Sequence, residues 1–177
     1  MTTREAGPGI GPGESRFQVA TLVALRMLIG WHFLYEGIAK LTSPYWTAAG
    51  YLAEARGFLK GPALAVAASP TAVTVVDYLN EYGLVLIGLG MLVGVLTRWA
   101  MVSGVVLLGL YYVVAPPRPG DAYAMPSEGS YLVVNKVLIE AVALLVLLAF
   151  PASRHYTLDA LFRGMRSERA APQPTEA

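Results

Sequence analysis

Cysteine is absent from this 177-residue chain. That excludes disulfides, thiolate metal sites, iron–sulfur clusters and a cysteine nucleophile. Any redox chemistry must therefore use a bound small molecule or a partner chain. Charge is scarce too: Asp, Glu, Lys and Arg make up 14% of the residues and hydrophobic types 55%, against about 25% charged in soluble domains. A soluble fold of this length would have to enclose more apolar surface than it can. The formal net charge is only +1. With no basic stripe outside the C-terminal tail, no nucleic-acid partner is expected. No internal repeat points to inverted-repeat transport architecture. No cleavable signal peptide is expected either, because a Gly/Pro-rich leader (Gly7 to Gly13) precedes a first apolar run too long for an h-region.

What is present is a set of long apolar runs. Phe17–Leu41 and Tyr131–Phe150 have the length of a bilayer crossing, and Trp99–Ala115 nearly reaches it before Pro116 and Pro117. Tyr82–Leu96 is short alone, but extension back to Ala72 gives a full span carrying Asp77, Asn80 and Glu81 near its start. The expectation is an all-α integral membrane four-helix bundle embedded in a lipid bilayer. Residues 1–16 form a flexible leader, 17–150 the transmembrane domain and 151–177 a basic, partly disordered cytoplasmic tail. Thr42–Thr71 mixes Tyr45, Trp46, Tyr51, Leu52 and Phe58 with Glu54, Arg56 and Lys60, which suits a short interfacial helix in the first outer loop. Pro116–Ser130 reads as a Pro/Gly-rich loop. Gly83, Gly88, Gly90 and Gly94, with Gly104 and Gly109, suit close helix contact in a hairpin turning at Thr97–Arg98.

Arg4, Arg16, Arg98, Arg154, Arg163, Arg166 and Arg169 fall on the side of the termini, against Arg56, Lys60 and Arg118 on the other. The positive-inside rule therefore places both termini in the cytoplasm, in a multi-pass protein of the inner (plasma) membrane.

Ionisable side chains inside such spans are the sharpest feature, since each costs roughly 2.5 to 3.5 kcal/mol in hydrocarbon and must be paired or face a polar cavity. At about 100° per residue Arg26, His32, Glu36 and Lys40 fall within one sector of about 120°. Glu36–Lys40 and Lys136–Glu140 share the i,i+4 spacing. With the first helix running outward and the second and fourth entering from outside, these groups meet in the outer half. Asn135 and Lys136 are expected about 8 to 9 Å below the start of the fourth span and Glu140 about 15 Å below it. Glu81, Tyr111 and Tyr112 are expected at the same level, and only Arg26 lies on the inner half.

Each group admits two readings. The i,i+4 pairs either neutralise one another and orient helices or handle protons and ligands. His32 either bonds a neighbouring carbonyl or relays protons. Arg26 either caps a polar network or snorkels inward. Tyr111 and Tyr112 are either packing residues or hydroxyl donors to a ligand.

Three segments carry a resemblance: R-M-L-I-G-W-H-F-L-Y-E-G-I-A-K-L (Arg26–Leu41), G-L-G-M-L-V-G-V-L-T-R (Gly88–Arg98) and E-G-S-Y-L-V-V-N-K-V-L-I-E-A (Glu128–Ala141). Over roughly residues 20–150 the chain resembles the DoxX superfamily, and within it the DoxD type. The resemblance implies a four-helix membrane subunit of thiosulfate:quinone oxidoreductase, which oxidises thiosulfate to tetrathionate and passes electrons to quinone as co-substrate. It also implies a second subunit of DoxA type, or another respiratory or redox membrane complex, as partner. No metal or iron–sulfur cofactor is expected. Under that reading Glu36, Glu140, Lys136 and His32 carry catalysis. Lys40, Glu81, Asn135, Tyr111, Tyr112 and Arg26 bind substrate or quinone. The rival readings are a non-enzymatic docking or assembly subunit and a small anion or proton carrier.

Overall fold

The computed structural model describes residues 15–117 and 132–150. The leader, the third loop beyond Pro117, the start of the fourth span at Tyr131 and the basic tail lie outside them. The described chain is helical, in the order α1 (Arg16–Thr42), α2 (Ala49–Ala53), α3 (Lys60–Ala67), α4 (Pro70–Leu89), α5 (Thr97–Val114) and α6 (Lys136–Ala149).

α1 starts at a reciprocal cap. Ser15 Oγ accepts from Gln18 N at 3.1 Å, and Gln18 Oε1 accepts from Ser15 N at 2.8 Å, which satisfies two otherwise unpaired donors. Its 27 residues span about 40 Å at 1.5 Å each. α4 begins behind Ser69, whose side chain caps Ala72 N, with Pro70 in the first turn where its missing N–H costs nothing. A π-turn, Gly90–Gly94, continues α4. Gly94 (φ 79°) and Leu96 (φ 51°) then reverse the chain through the left-handed region. The reversal thus falls at Val95–Leu96, and Thr97, expected in the turn, is already the first residue of α5. Arg16–Thr42, Pro70–Gly94 and Thr97–Val114 are long and apolar enough to cross a membrane.

The last apolar run behaves differently from its sequence expectation. Leu132 sits at φ 59°, and Asn135 is the N-cap of α6, its side chain accepting from Leu138 N at 2.9 Å. A capping asparagine offers the backbone an alternative to continued helix, so α6 begins at Lys136 and has 14 residues. That is about 21 Å, short of the about 30 Å hydrocarbon core. Lys136 is therefore in the first turn, and Glu140 lies only about 6 Å along the helix.

Two glycine contacts set how α1 meets α4. A Cβ on Gly88 would sit 2.5 Å from Leu34 N, and one on Gly37 would sit 2.7 Å from Val85 Cγ2 and 2.8 Å from Val85 N. Only hydrogen fits in either place. Gly30 meets Met91 and Gly37 meets Val85, so the two helices run antiparallel. α5 runs antiparallel to α6 in the same way. Gly104 faces Leu144, while Tyr112 donates to the Val133 carbonyl at 2.7 Å. A Cβ on Gly83 or Gly109, both read as contact glycines, would meet nothing within 4 Å beyond its own stretch of helix. The core joins these helices through Ile29, Phe33, Leu84, Ile87, Met91, Met101, Leu108, Leu144 and Leu147. Large apolar side chains such as Leu28, Trp31, Leu79, Leu86, Val106 and Ile139 point outward.

The segment between α1 and α4 is tied down by polar contacts. Asp77 accepts from Ala48 N at 2.7 Å and from Thr47 Oγ1 at 3.0 Å. Tyr51 donates its hydroxyl proton to the Tyr111 carbonyl, and Arg56 N donates to the Val114 carbonyl at 2.9 Å. The bond from Arg56 N satisfies a carbonyl that the end of α5 leaves without a helical partner, and the Tyr111 carbonyl takes Tyr51 in addition to Ala115 N at 3.1 Å.

Candidate functional site

α1 presents His32, Glu36 and Lys40 one turn apart along a single stripe, because four residues advance an α-helix by about 400°. Lys40 Nζ reaches Glu36 Oε2 at 2.9 Å and stands 5.5 Å from the centre of the Trp46 ring, a cation–π distance. Glu36 turns its other oxygen toward His32, with Oε1 3.9 Å from Nε2. The second imidazole nitrogen crosses to α6: His32 Nδ1 and Glu140 Oε1 are 2.7 Å apart. Lys40, Glu36, His32 and Glu140 thus form one polar line along α1 and over to α6.

Beside this line is a partly open pocket of about 110 Å³, walled by Phe33, Leu84, Leu108 and Val137 and edged by His32, Glu36, Lys40, Tyr111, Lys136 and Glu140. α1, α4, α5 and α6 all contribute to it. The pocket falls well below the about 300–1,000 Å³ of drug-sized sites. It has room for a small head group, with any longer tail left outside.

Tyr111 is placed by its neighbours. Asn80, 8% exposed, donates through Nδ2 to the Tyr111 hydroxyl oxygen, and Tyr51 bonds the Tyr111 carbonyl from the other side. With an acceptor site of the hydroxyl occupied by Asn80, its own proton is available to a group in the pocket.

The remaining residues expected at the site are elsewhere. Glu81 does not line the pocket; its chain neighbour Asn80 reaches toward α5 instead, since adjacent helical residues point about 100° apart. Asn135 is committed to capping α6. Tyr112 is committed to the Val133 carbonyl. Arg26 is 1% exposed, with Nη2 3.7 Å from Met27 Sδ, and takes no part in the pocket.

The expected Lys136–Glu140 pair does not form. Glu140 turns to His32, and Lys136 makes no ion pair within 4 Å with any described residue. A tertiary partner at hydrogen-bond distance outcompetes a solvent-exposed i,i+4 contact, whose contribution is about 0.3 to 0.5 kcal/mol. Among the described residues no group of three His, Asp or Glu could hold a metal ion.

Sequence reasoning missed Gly30 and Gly37. Their spacing of seven residues puts them on one helical face, a signal that the adjacent charged stripe obscured. Compared with protein-family models, with characterised proteins and with solved structures, the chain shows no match.

Proposed function

We propose that the chain is a four-helix integral membrane subunit of a quinone-linked oxidoreductase, of the thiosulfate:quinone type. In this arrangement α6 is the fourth membrane helix, α2 and α3 lie at the outer surface, and both termini face the cytoplasm of an inner membrane. The observation that carries the reading is the pairing of an apolar-walled pocket with a proton-bearing edge on membrane-length helices. Reducing a quinone takes two electrons and two protons, and its ring needs an apolar slot with donors at the carbonyl oxygens. Phe33, Leu84 and Leu108 supply the slot, and the Tyr111 hydroxyl and Lys136 ammonium supply donors. Two thiosulfates give up two electrons on joining as tetrathionate, so the donor side needs no cysteine. Cationic Lys136 and Lys40 favour an anion approaching from the outer face.

A second reading has a specific observation in its favour. Glu36–Lys40 and His32–Glu140 are each satisfied internally, as pairs that merely orient helices in a docking subunit would be. Lys136 separates the two, because it has no ion-pair partner among the described residues to lose. The test uses the purified chain with its copurifying partners, measuring thiosulfate-dependent reduction of decylubiquinone and bound quinone. Lys136→Met should insert and assemble normally yet lose roughly ten- to a hundredfold in turnover, the scale of one lost donor at a developing charge. Unchanged turnover in Lys136→Met would favour the docking subunit.

A further inference from the structure

We propose that His32 passes protons between α1 and α6, receiving them from Glu36 on Nε2 and delivering them to Glu140 from Nδ1. The inference rests on reading the pocket as a protonation site and assigns the order in which its groups act. Three observations support it. The ring is bracketed by two carboxylates on different helices, at 2.7 Å on Nδ1 and 3.9 Å on Nε2. The two carboxylates edge the same pocket but differ in burial: Glu36 is 41% exposed and Glu140 13%, so Glu36 is the more open end of the line and Glu140 the more enclosed. Lys40 holds one oxygen of Glu36 and leaves the other turned to the imidazole.

The step balances without a further reactant. His32 starts with its proton on Nδ1, shared with the Glu140 carboxylate. A protonated Glu36 gives its proton to Nε2, which turns the ring into an imidazolium. The imidazolium then releases the Nδ1 proton to Glu140. Glu140 is left as a carboxylic acid able to protonate an oxygen in the pocket, and His32 is left neutral with its proton on Nε2. Return to the first tautomer through water completes the cycle. The 3.9 Å side is longer than a direct hydrogen bond, so a bridging water or a small ring rotation closes it. Lys40 on α1, Lys136 on α6 and Tyr111 on α5 are the other titratable groups around the ring, and α4 contributes apolar Leu84.

The chain has two histidines, so a His155→Gln background leaves His32 as the single imidazole for nitrogen-15 NMR. Full-length protein in phosphatidylcholine vesicles should show both ring nitrogens exchanging between protonated and unprotonated forms. Glu36→Gln should fix the proton on Nδ1, and Glu140→Gln should move it to Nε2. A single tautomer, unchanged by Glu36→Gln, would overturn the relay.

The kinetic arm reads thiosulfate–decylubiquinone turnover. His32→Ala should lose at least tenfold, and added 4-methylimidazole should restore part of the loss in proportion to its free-base concentration. His32→Gln, which keeps a polar side chain, should stay slow. Absence of rescue in a folded His32→Ala protein would also overturn the proposal. Exchange by NMR without turnover in the parent protein would leave the relay standing and remove the quinone reading instead.

Discussion

Glu140 shows how far local spacing can be trusted at a single residue. Its i,i+4 neighbour Lys136 was visible in the sequence, but its partner in the fold is His32, 108 positions away, at 2.7 Å. A double-mutant cycle distinguishes the two pairings. Replacing Glu140 by Leu alone leaves His32 Nδ1 without its partner and should lower stability by roughly 1–3 kcal/mol. His32→Phe/Glu140→Leu should recover most of that, because both polar groups leave together. The Lys136–Glu140 cycle should instead show coupling within about 0.5 kcal/mol. Thermal unfolding in mild detergent reads both. The stripe of His32, Glu36 and Lys40 was legible because helical phase is fixed by chain geometry. The choice of Asn80 over Glu81 was not, since it turns on a bond to Tyr111 on another helix; the capping role of Asn135 rests on a bond only three residues along, a local signal that the continuous apolar run around it masked.

At the scale of elements, the contact between α1 and α4 is governed by hydrogen atoms standing where methyl groups usually stand. Gly88→Ala would place a Cβ 2.5 Å from the Leu34 backbone nitrogen. It should destabilise the protein by about 1–3 kcal/mol, the usual range for overpacking. Gly83→Ala, with nothing within 4 Å, should be neutral or raise stability by up to about 1 kcal/mol through helix propensity. Melting temperatures of the two variants, measured side by side, check the pair. The lengths of α1 and α5 followed from apolar run length and from the prolines after α5, and α4 begins at Pro70, two residues before the extended reading of its apolar run. The start of α6 did not, because Leu132 and Val133 are as apolar as the helix they precede. The capping bond from Leu138 N to Asn135 decided the boundary.

For the whole molecule, the antiparallel order of the helices puts the reversal at Val95–Leu96 at one end and the segment between α1 and α4 at the other. Charge asymmetry assigns the first end to the cytoplasm in the proposed orientation. Because the chain has no cysteine, introduced cysteines report without background. Phe58→Cys, at a position 82% exposed, should react with an impermeant maleimide added outside intact cells, and Arg98→Cys should react only after permeabilisation. The reverse pattern would invert the protein and put the pocket on the cytoplasmic half. Composition alone, with 55% hydrophobic and 14% charged residues, pointed toward a bilayer, and three helices long and apolar enough to cross one are compatible with it.

The brevity of α6 also reaches into the surrounding lipid. A 14-residue helix packed against helices of 18 and 27 residues falls roughly 9 Å short of an average hydrocarbon core. In the proposed bilayer setting, acyl chains beside α6 must thin or tilt to meet it, at a cost of a fraction of a kcal/mol per ångström of mismatch. Lys136 and Glu140 stand in the first turns of that helix, so the deformation is centred on the pocket edge. Stability and turnover should therefore depend on bilayer thickness. Vesicles of 14-carbon phosphatidylcholine should support both better than vesicles of 22-carbon chains, and equal behaviour in the two would mean that the short helix is sheltered from lipid.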